Sequence, residues 1–257
     1  MPNVLITPGP VTTVTLNRPE VRNAFNEELM RELIAFAKGV PTDGSVRVVV
    51  LQGAGPVFCA GADLNWMSKV VGYTREENVA DVHRAAELYF AFDSLPVPLI
   101  GKIHGAALGG GAGLAATCDV VIATDDTTFG FTEVTLGIVP ATISPYVVRR
   151  IGLAAARELC LSGIRFPARR AKEIGLATEV VALNELDETI ARHIDQFKKT
   201  APSAVAATKR LLRDVYGRQP AEVMDLTVEV IANQRASAEG QEGMKAFLEK
   251  RRPTWAQ

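Results

Sequence analysis

Two short glycine-bearing segments hold residues suited to chemistry on a carbonyl group. One is Phe58-Cys59-Ala60-Gly61-Ala62-Asp63-Leu64, and the other is His104-Gly105-Ala106-Ala107-Leu108-Gly109-Gly110-Gly111-Ala112-Gly113-Leu114. Each follows an apolar, strand-like run (Val48 to Leu51, then Pro98 to Ile103) and leads into a helix-like stretch. Two such junctions can aim backbone N–H groups into one cavity. Paired N–H donors stabilise negative charge developing on a carbonyl oxygen. Small residues suit this task because a side chain would keep a ligand away from the backbone. Glycines after strands also serve as plain packing junctions, so on their own they leave both uses open. Downstream, Glu133 in Phe131-Thr132-Glu133-Val134 offers a carboxylate for proton transfer, though taken alone it reads first as a helix-start or loop acid. Its neighbours Asp125 and Asp126 read as an exposed turn.

The elements that must hold these segments alternate between strand and helix. Val11 to Leu16 is rich in β-branched residues and reads as a strand. Asn26 to Lys38 reads as a helix with Leu29, Leu33, Ile34 and Ala37 on one face and Asn26 as its cap. Val46 to Leu51 reads as a strand buried on both faces. Arg75 to Asp93 reads as a long helix ended ahead of Pro96 and Pro98, and Leu99 to Ile103 as the next strand. Gly110 to Thr117 reads as a short buried helix, followed by a strand from Asp119 to Ala123. Such alternation implies an α/β fold with right-handed crossovers. From about Leu186 the strand signal stops. Residues 187–199, 204–216, 222–236 and 241–251 all read as helices.

Composition narrows the class. At 257 residues and 47% hydrophobic content, the chain can bury a large core. A net charge of −1 gives no electrostatic basis for binding nucleic acid. Cys59, Cys118 and Cys160 have no metal spacing and read as free buried thiols, which suits a reducing cytoplasm. No metal site is expected from three histidines without ligand spacing. No signal segment or bilayer-length apolar run is seen, so no membrane partner is expected. The basic ending Lys250-Arg251-Arg252 reads as a solvated helix end.

Order and spacing carry a resemblance across almost the whole chain. The segments FCAGADL, IHGAALGGGAGLAATCDVVIA and FGFTEVTLGIVP, with the opening VTLNRPEVRNAFN and the ending EGQEGMKAFLEKRRPTW, resemble the crotonase (enoyl-CoA hydratase/isomerase) superfamily. The resemblance implies a spiral of repeated ββα units over residues 1–185. It also implies a helical C-terminal region, 186–257, that makes trimer contacts in a trimer or dimer of trimers. It implies an acyl-CoA thioester as substrate, with coenzyme A part of that substrate and no separate cofactor. By position, Ala62 and Gly110 match the two residues whose N–H groups hold the thioester oxygen, and Glu133 matches the acid that exchanges a proton with the substrate. Backbone groups around Ala60, Ala62, Asp63 and Leu64 match those that receive the adenine end of CoA. Phe247 and Lys250 match positions that approach CoA from a neighbouring subunit. Glu20 and Pro56 stand where the family often has basic residues for the phosphates, and Arg22 in the same turn could replace them.

One departure bears on the reaction. Hydratases with two catalytic glutamates carry the second one where this chain has Gly113. A single-acid isomerase, a hydratase with another base, and a substrate that supplies a carboxylate beside Gly113 all remain open. The segments GADLNWM and EVTLGIVPATISPYVVRRIG look like those of bacterial methylglutaconyl-CoA and isohexenylglutaconyl-CoA hydratases, whose substrates carry a free acyl carboxylate. That likeness favours 3-methylglutaconyl-CoA, linked reversibly to 3-hydroxy-3-methylglutaryl-CoA, and leaves the isomerase and a non-catalytic acyl-CoA- or RNA-binding relative as alternatives. Thr142, Ser144 and Tyr146 bring hydroxyls that could face a polar acyl group, with helix capping by Ser144 ahead of Pro145 the equal alternative.

Overall fold

Short runs rich in β-branched residues form the strands, where a pleated, half-buried surface suits them. The computed structural model describes residues 2–256. Its strands are β1 (Val4–Thr7), β2 (Val11–Leu16), β3 (Val48–Gly53), β4 (Leu99–Ile103), β5 (Ala106–Leu108), β6 (Val120–Thr124), β7 (Thr128–Gly130), β8 (Arg165–Pro167) and β9 (Glu179–Val181). Its helices are α1 (Glu27–Lys38), α2 (Leu64–Val70), α3 (Arg75–Asp93), α4 (Gly110–Thr117), α5 (Ser144–Ser162), α6 (Ala168–Glu173), α7 (Leu186–Lys198), α8 (Pro202–Val215), α9 (Pro220–Ala236) and α10 (Ala238–Leu248). Asn26 caps α1 by accepting the Leu29 N–H at 2.9 Å, and Thr74 with Glu77 forms a capping box on α3.

The large sheet has the order β1-β2-β3-β4-β6-β9 and is parallel except at the β1–β2 hairpin. The small sheet has the order β5-β7-β8, with β5 parallel and β8 antiparallel to β7. Chain order through the two sheets produces the spiral. β4, β5 and α4 make one ββα turn, and β6, β7 and α5 make the next. A reduced turn precedes them: β3, then an isolated bridge from Cys59 to Ala107, then α2 and α3. Each passage between sheets puts a short strand and a helix start at the same edge of the molecule. Both glycine segments lie at that edge.

β3 is buried on both faces, as its unbroken apolar run requires. Val49 and Leu51 join the main core with Leu33, Phe92, Leu99 and Ile103. Val48 and Val50 face the other way and meet Ile100, Ile122, Leu186 and Ile190. Leu186 and Ile190 belong to α7, so α7 packs on the large sheet. The boundary drawn at 185/186 therefore marks the end of strand-forming sequence, with β9 the last strand, rather than a change of packing partner. The helices that follow, α8, α9 and α10, pack on one another. Among the described residues no helix is long and apolar enough to cross a membrane.

Candidate active site

The first glycine segment is held on both sides by backbone bonds that leave Ala62 between them. Cys59 N–H donates to the Ala106 carbonyl at 3.0 Å, and Leu108 N–H donates to the Cys59 carbonyl at 3.0 Å. Phe25 N–H donates to the Gly61 carbonyl at 2.7 Å, and Asp63 N–H donates to the Phe25 carbonyl at 2.9 Å. Gly61 has φ +103, a conformation that L side chains rarely adopt, so glycine is required there. Among the described residues, the N–H of Ala62 has no acceptor.

The second segment turns at Gly109, whose N–H donates to the Gly130 carbonyl at 2.8 Å. α4 then begins at Gly110. The first N–H groups of a helix have no partner within it, and they form its positive end. Gly110 N–H likewise has no acceptor among the described residues. Its position is crowded: a Cβ there would stand 2.7 Å from the Tyr89 hydroxyl and 2.8 Å from the Phe25 ring. The Tyr89 hydroxyl donates to the Gly110 carbonyl at 3.3 Å, fixing the start of α4 from α3.

Glu133 opens a 3₁₀ turn just after β7 and stands against the second segment at Gly109. A Cβ built on Gly109 would lie 3.5 Å from Glu133 Oε1 and 4.0 Å from the Gly61 Cα. The acid thus lies against Gly109, the residue before the free Gly110 N–H, and Gly109 in turn adjoins Gly61, the residue before Ala62. Its Oε2 is buried and has no hydrogen-bond partner among the described residues. Burial raises its pKa, opposed only in part by a backbone hydrogen bond. An acid with raised proton affinity and an unused oxygen is suited to exchanging a proton rather than holding a fixed charge.

The other expected site residues divide. Ala60 is half-buried, and its N–H donates to the Arg22 carbonyl at 3.0 Å. Leu64 is exposed at the first turn of α2. Arg22 sits at φ 55 with its side chain exposed beside the same loop. Asp63 is different: its carboxylate is committed to the fold. Oδ1 accepts the N–H groups of Asn65 at 2.8 Å and Trp66 at 3.3 Å, capping α2, and Oδ2 pairs with Arg18 at 2.7 Å. Burial would raise its pKa, but Arg18 and the two N–H groups outweigh this and hold it below the usual carboxylate range. Phe247 and Lys250 are exposed at the end of α10, which packs chiefly on α9 and α8.

Gly113 departs from expectation. It is buried within α4, and a Cβ on it would fall inside the Ile143 side chain, 2.7 Å from the Ile143 Cβ. The open space expected beside Gly113 for a substrate carboxylate is filled by Ile143. Ser144 also differs: its hydroxyl donates to the Ala141 carbonyl at 2.9 Å, and the cap position of α5 is Ile143, so Ser144 is not the cap. Thr142 and Tyr146 are half-buried, and the Tyr146 ring lies 6.2 Å from that of Tyr89. Of the thiols, Cys59 and Cys118 are buried and Cys160 is half-buried.

Several positioning residues gave no signal in the sequence. Asn23 is fully buried at φ 56. Its amide donates to the Ala54 and Val57 carbonyls at 2.8 and 2.9 Å and accepts the Arg18 N–H at 2.9 Å. Arg18, Asn23 and Phe25 all lie in an opening segment that reads only as a strand and turn, and Tyr89 and Ile143 read only as apolar helix or loop residues. Asn23 at left-handed φ is the one type-specific hint, since asparagine tolerates that conformation.

Residues 7–257 match the family model described as enoyl-CoA hydratase/isomerase. A putative enoyl-CoA hydratase of Thermus thermophilus is 34% identical over 250 residues, which is 97% of this chain and 99% of the relative. The 2,3-dehydroadipyl-CoA hydratase of Escherichia coli is 34% identical over 247 residues, 95% of this chain and 94% of the relative. The solved structure of Pseudomonas aeruginosa AtuE superposes with a TM-score of 0.95 at 39% identity, covering 99% of this chain and all of its own (100%).

Proposed function

The chain belongs to the enoyl-CoA hydratase/isomerase family and is an enzyme of the enoyl-CoA hydratase type, and from that premise we propose that its substrate is an acyl-CoA whose acyl chain carries a free carboxylate. The specific reading is hydration of 3-methylglutaconyl-CoA to 3-hydroxy-3-methylglutaryl-CoA, and the reverse. The thioester oxygen accepts the N–H groups of Ala62 and Gly110. Water oxygen bonds to the β-carbon, the double-bond electrons move toward the thioester oxygen, and a proton ends on the α-carbon. Charge on that oxygen peaks between these events. Losing one such donor typically costs about 3 kcal/mol of barrier. Glu133 exchanges a proton with the reacting atoms. Arg22, with Lys250 and Phe247 from a neighbouring copy, serves the CoA moiety, and backbone groups at Ala60 and Leu64 border it. No separate cofactor is needed, because coenzyme A arrives with the substrate.

The observation that carries the reading is Glu133, with its buried, unpartnered Oε2, set against Gly109 at the junction that leads to the free Gly110 N–H. The likeness to the 2,3-dehydroadipyl-CoA hydratase, whose named substrate has a carboxylated acyl chain, supports the substrate class. The test is a panel of 3-methylglutaconyl-CoA, crotonyl-CoA and 3-hydroxy-3-methylglutaryl-CoA. Ultraviolet absorbance of the conjugated thioester is followed in isotopically labelled water. Preferred turnover of the methylglutaconyl pair, with label at the β-carbon, is expected. Crotonyl-CoA turned over equally well would sink the carboxylate specificity.

A second reading, a single-acid isomerase, draws on position 113, which has neither an acid nor room for one. It moves the double bond without taking up label, so the same experiment separates the two.

A further inference from the structure

We propose that Arg18 is a positioning residue that acts through Asp63 to aim the Ala62 N–H at the thioester oxygen; the inference rests on the role given to Ala62 above. The guanidinium is almost buried, with 13% of the Arg18 side chain and 4% of the Asp63 side chain exposed. One of its nitrogens donates to the Ala24 carbonyl at 2.5 Å, and another donates to Asp63 Oδ2 at 2.7 Å. It therefore clips residue 24 to residue 63. The Phe25 backbone joins the same two stretches through Gly61 and Asp63.

Ala62 lies between two anchors that meet at this clip. The carbonyl of the 61–62 peptide accepts the Phe25 N–H at 2.7 Å, so the aim of the Ala62 N–H follows the placement of Phe25, whose neighbour Ala24 is held by Arg18. On its other side Asp63 is fixed three ways: by its N–H on Phe25, by Oδ1 on the start of α2, and by Oδ2 on Arg18. A planar guanidinium can reach two acceptors at once in fixed directions, whereas a lysine ammonium is a point donor on a flexible stem. Buried ion pairs often stabilise no more than well-packed apolar groups. One placed a single residue from an unpartnered N–H fits a demand for geometry.

The test uses Arg18→Gln, Arg18→Lys, Asp63→Asn and the Arg18→Gln/Asp63→Asn pair in the full-length protein. Folding is checked by circular dichroism and thermal melting. With the best enoyl-CoA of the panel, Arg18→Gln should lower kcat by about 10–100-fold with KM little changed, as small misplacements of catalytic groups do. Arg18→Lys should recover part of this. The paired variant should lose no more than the worse single variant, because both residues act as one unit.

The second readout is the infrared stretch of the thioester carbonyl in bound, carbonyl-labelled butyryl-CoA, which cannot be hydrated. Wild type should lower that frequency, and Arg18→Gln should lower it less while still binding the ligand. An undiminished shift in Arg18→Gln, or kcat losses that multiply in the pair, overturns the role of Arg18. No shift in wild type overturns the oxyanion-hole reading itself. If Arg18→Gln does not fold, Arg18→Lys and Asp63→Asn decide by the same two readouts, since Asp63→Asn keeps the Oδ1 cap of α2.

Discussion

Gly113 and Ile143 share one space: a Cβ on the glycine would fall inside the isoleucine side chain, 2.7 Å from its Cβ. The absence of a second acid in α4 is therefore built into the packing. Gly113→Ala should destabilise the fold by about 1–3 kcal/mol through overpacking. Ile143→Ala should cost about 2–5 kcal/mol through the cavity it leaves. Together they should cost clearly less than the sum, because each relieves the other. Denaturant titration of the four proteins measures this, and strict additivity would show that the two side chains do not compete. Gly113→Glu alone should fail to fold. Gly113→Glu with Ile143→Ala should fold and hydrate crotonyl-CoA faster than Ile143→Ala does.

Much of this architecture was legible in the sequence because its signals are local. α3, β4 and α4 begin and end where prolines, caps and β-branched runs place them. The small sheet was not legible. β5, β7 and β8 have three residues each, too few to show a period, and exist only because the spiral brings them together. The resemblance supplied the segments holding Ala62, Gly110 and Glu133, and the structure sets Glu133 against Gly109 and Gly109 against Gly61, the residues before Gly110 and Ala62. It could not show that Asp63 would be consumed by Arg18 and the α2 cap, nor that Ile143 would occupy the room left by Gly113. Both depend on residues distant in sequence, and no pattern within either segment encodes them.

The thiols should differ sharply in reactivity. Burial pushes Cys59 and Cys118 up to about 12. Each therefore carries negligible thiolate near neutral pH, and thiolate is the reactive form. Cys160 is also raised, by burial and then by the charge of Glu133, but it is only half-buried. In a native thiol titration Cys160 should react first, and Cys59 and Cys118 should react only on unfolding. Mass spectrometry of the first adduct checks the assignment. Modification of Cys59 at the same rate as Cys160 would contradict it.

The C-terminal helices expose Leu212, Tyr216, Met224, Val228, Ile231, Phe247 and Leu248, apolar surface that a lone chain would leave in water. We propose that copies of the chain cover it, as a trimer or a dimer of trimers. Light scattering at micromolar concentration should give a mass that is a multiple of three chains. Removing the residues after Gly240 should weaken CoA-thioester binding through loss of Phe247 and Lys250. A monomer would overturn the proposal, and so would a truncated protein with unchanged affinity.

Glu133→Gln separates activity from stability. If Glu133 passes the proton, turnover should fall by about 10²–10⁴-fold while thioester binding persists, that being the usual contribution of such transfers. The fold should respond in the opposite direction. Burial raises the Glu133 pKa in the folded chain, so the folded state holds its proton more tightly than the unfolded state does. Its contribution to stability is then fully present below the ordinary glutamate range and is lost as pH rises through the raised value. Glutamine carries no charge at any pH and escapes that loss. The variant should therefore gain in melting temperature over wild type as pH rises through the raised value, and the gain should shrink as pH falls from there toward the ordinary glutamate range, below which none remains. Melting curves at several pH values, taken alongside the activity assay, test both halves. A slow enzyme without the pH-dependent gain would mean that Glu133 acts without being held in a desolvated pocket. A stable variant with full turnover would remove it from the chemistry.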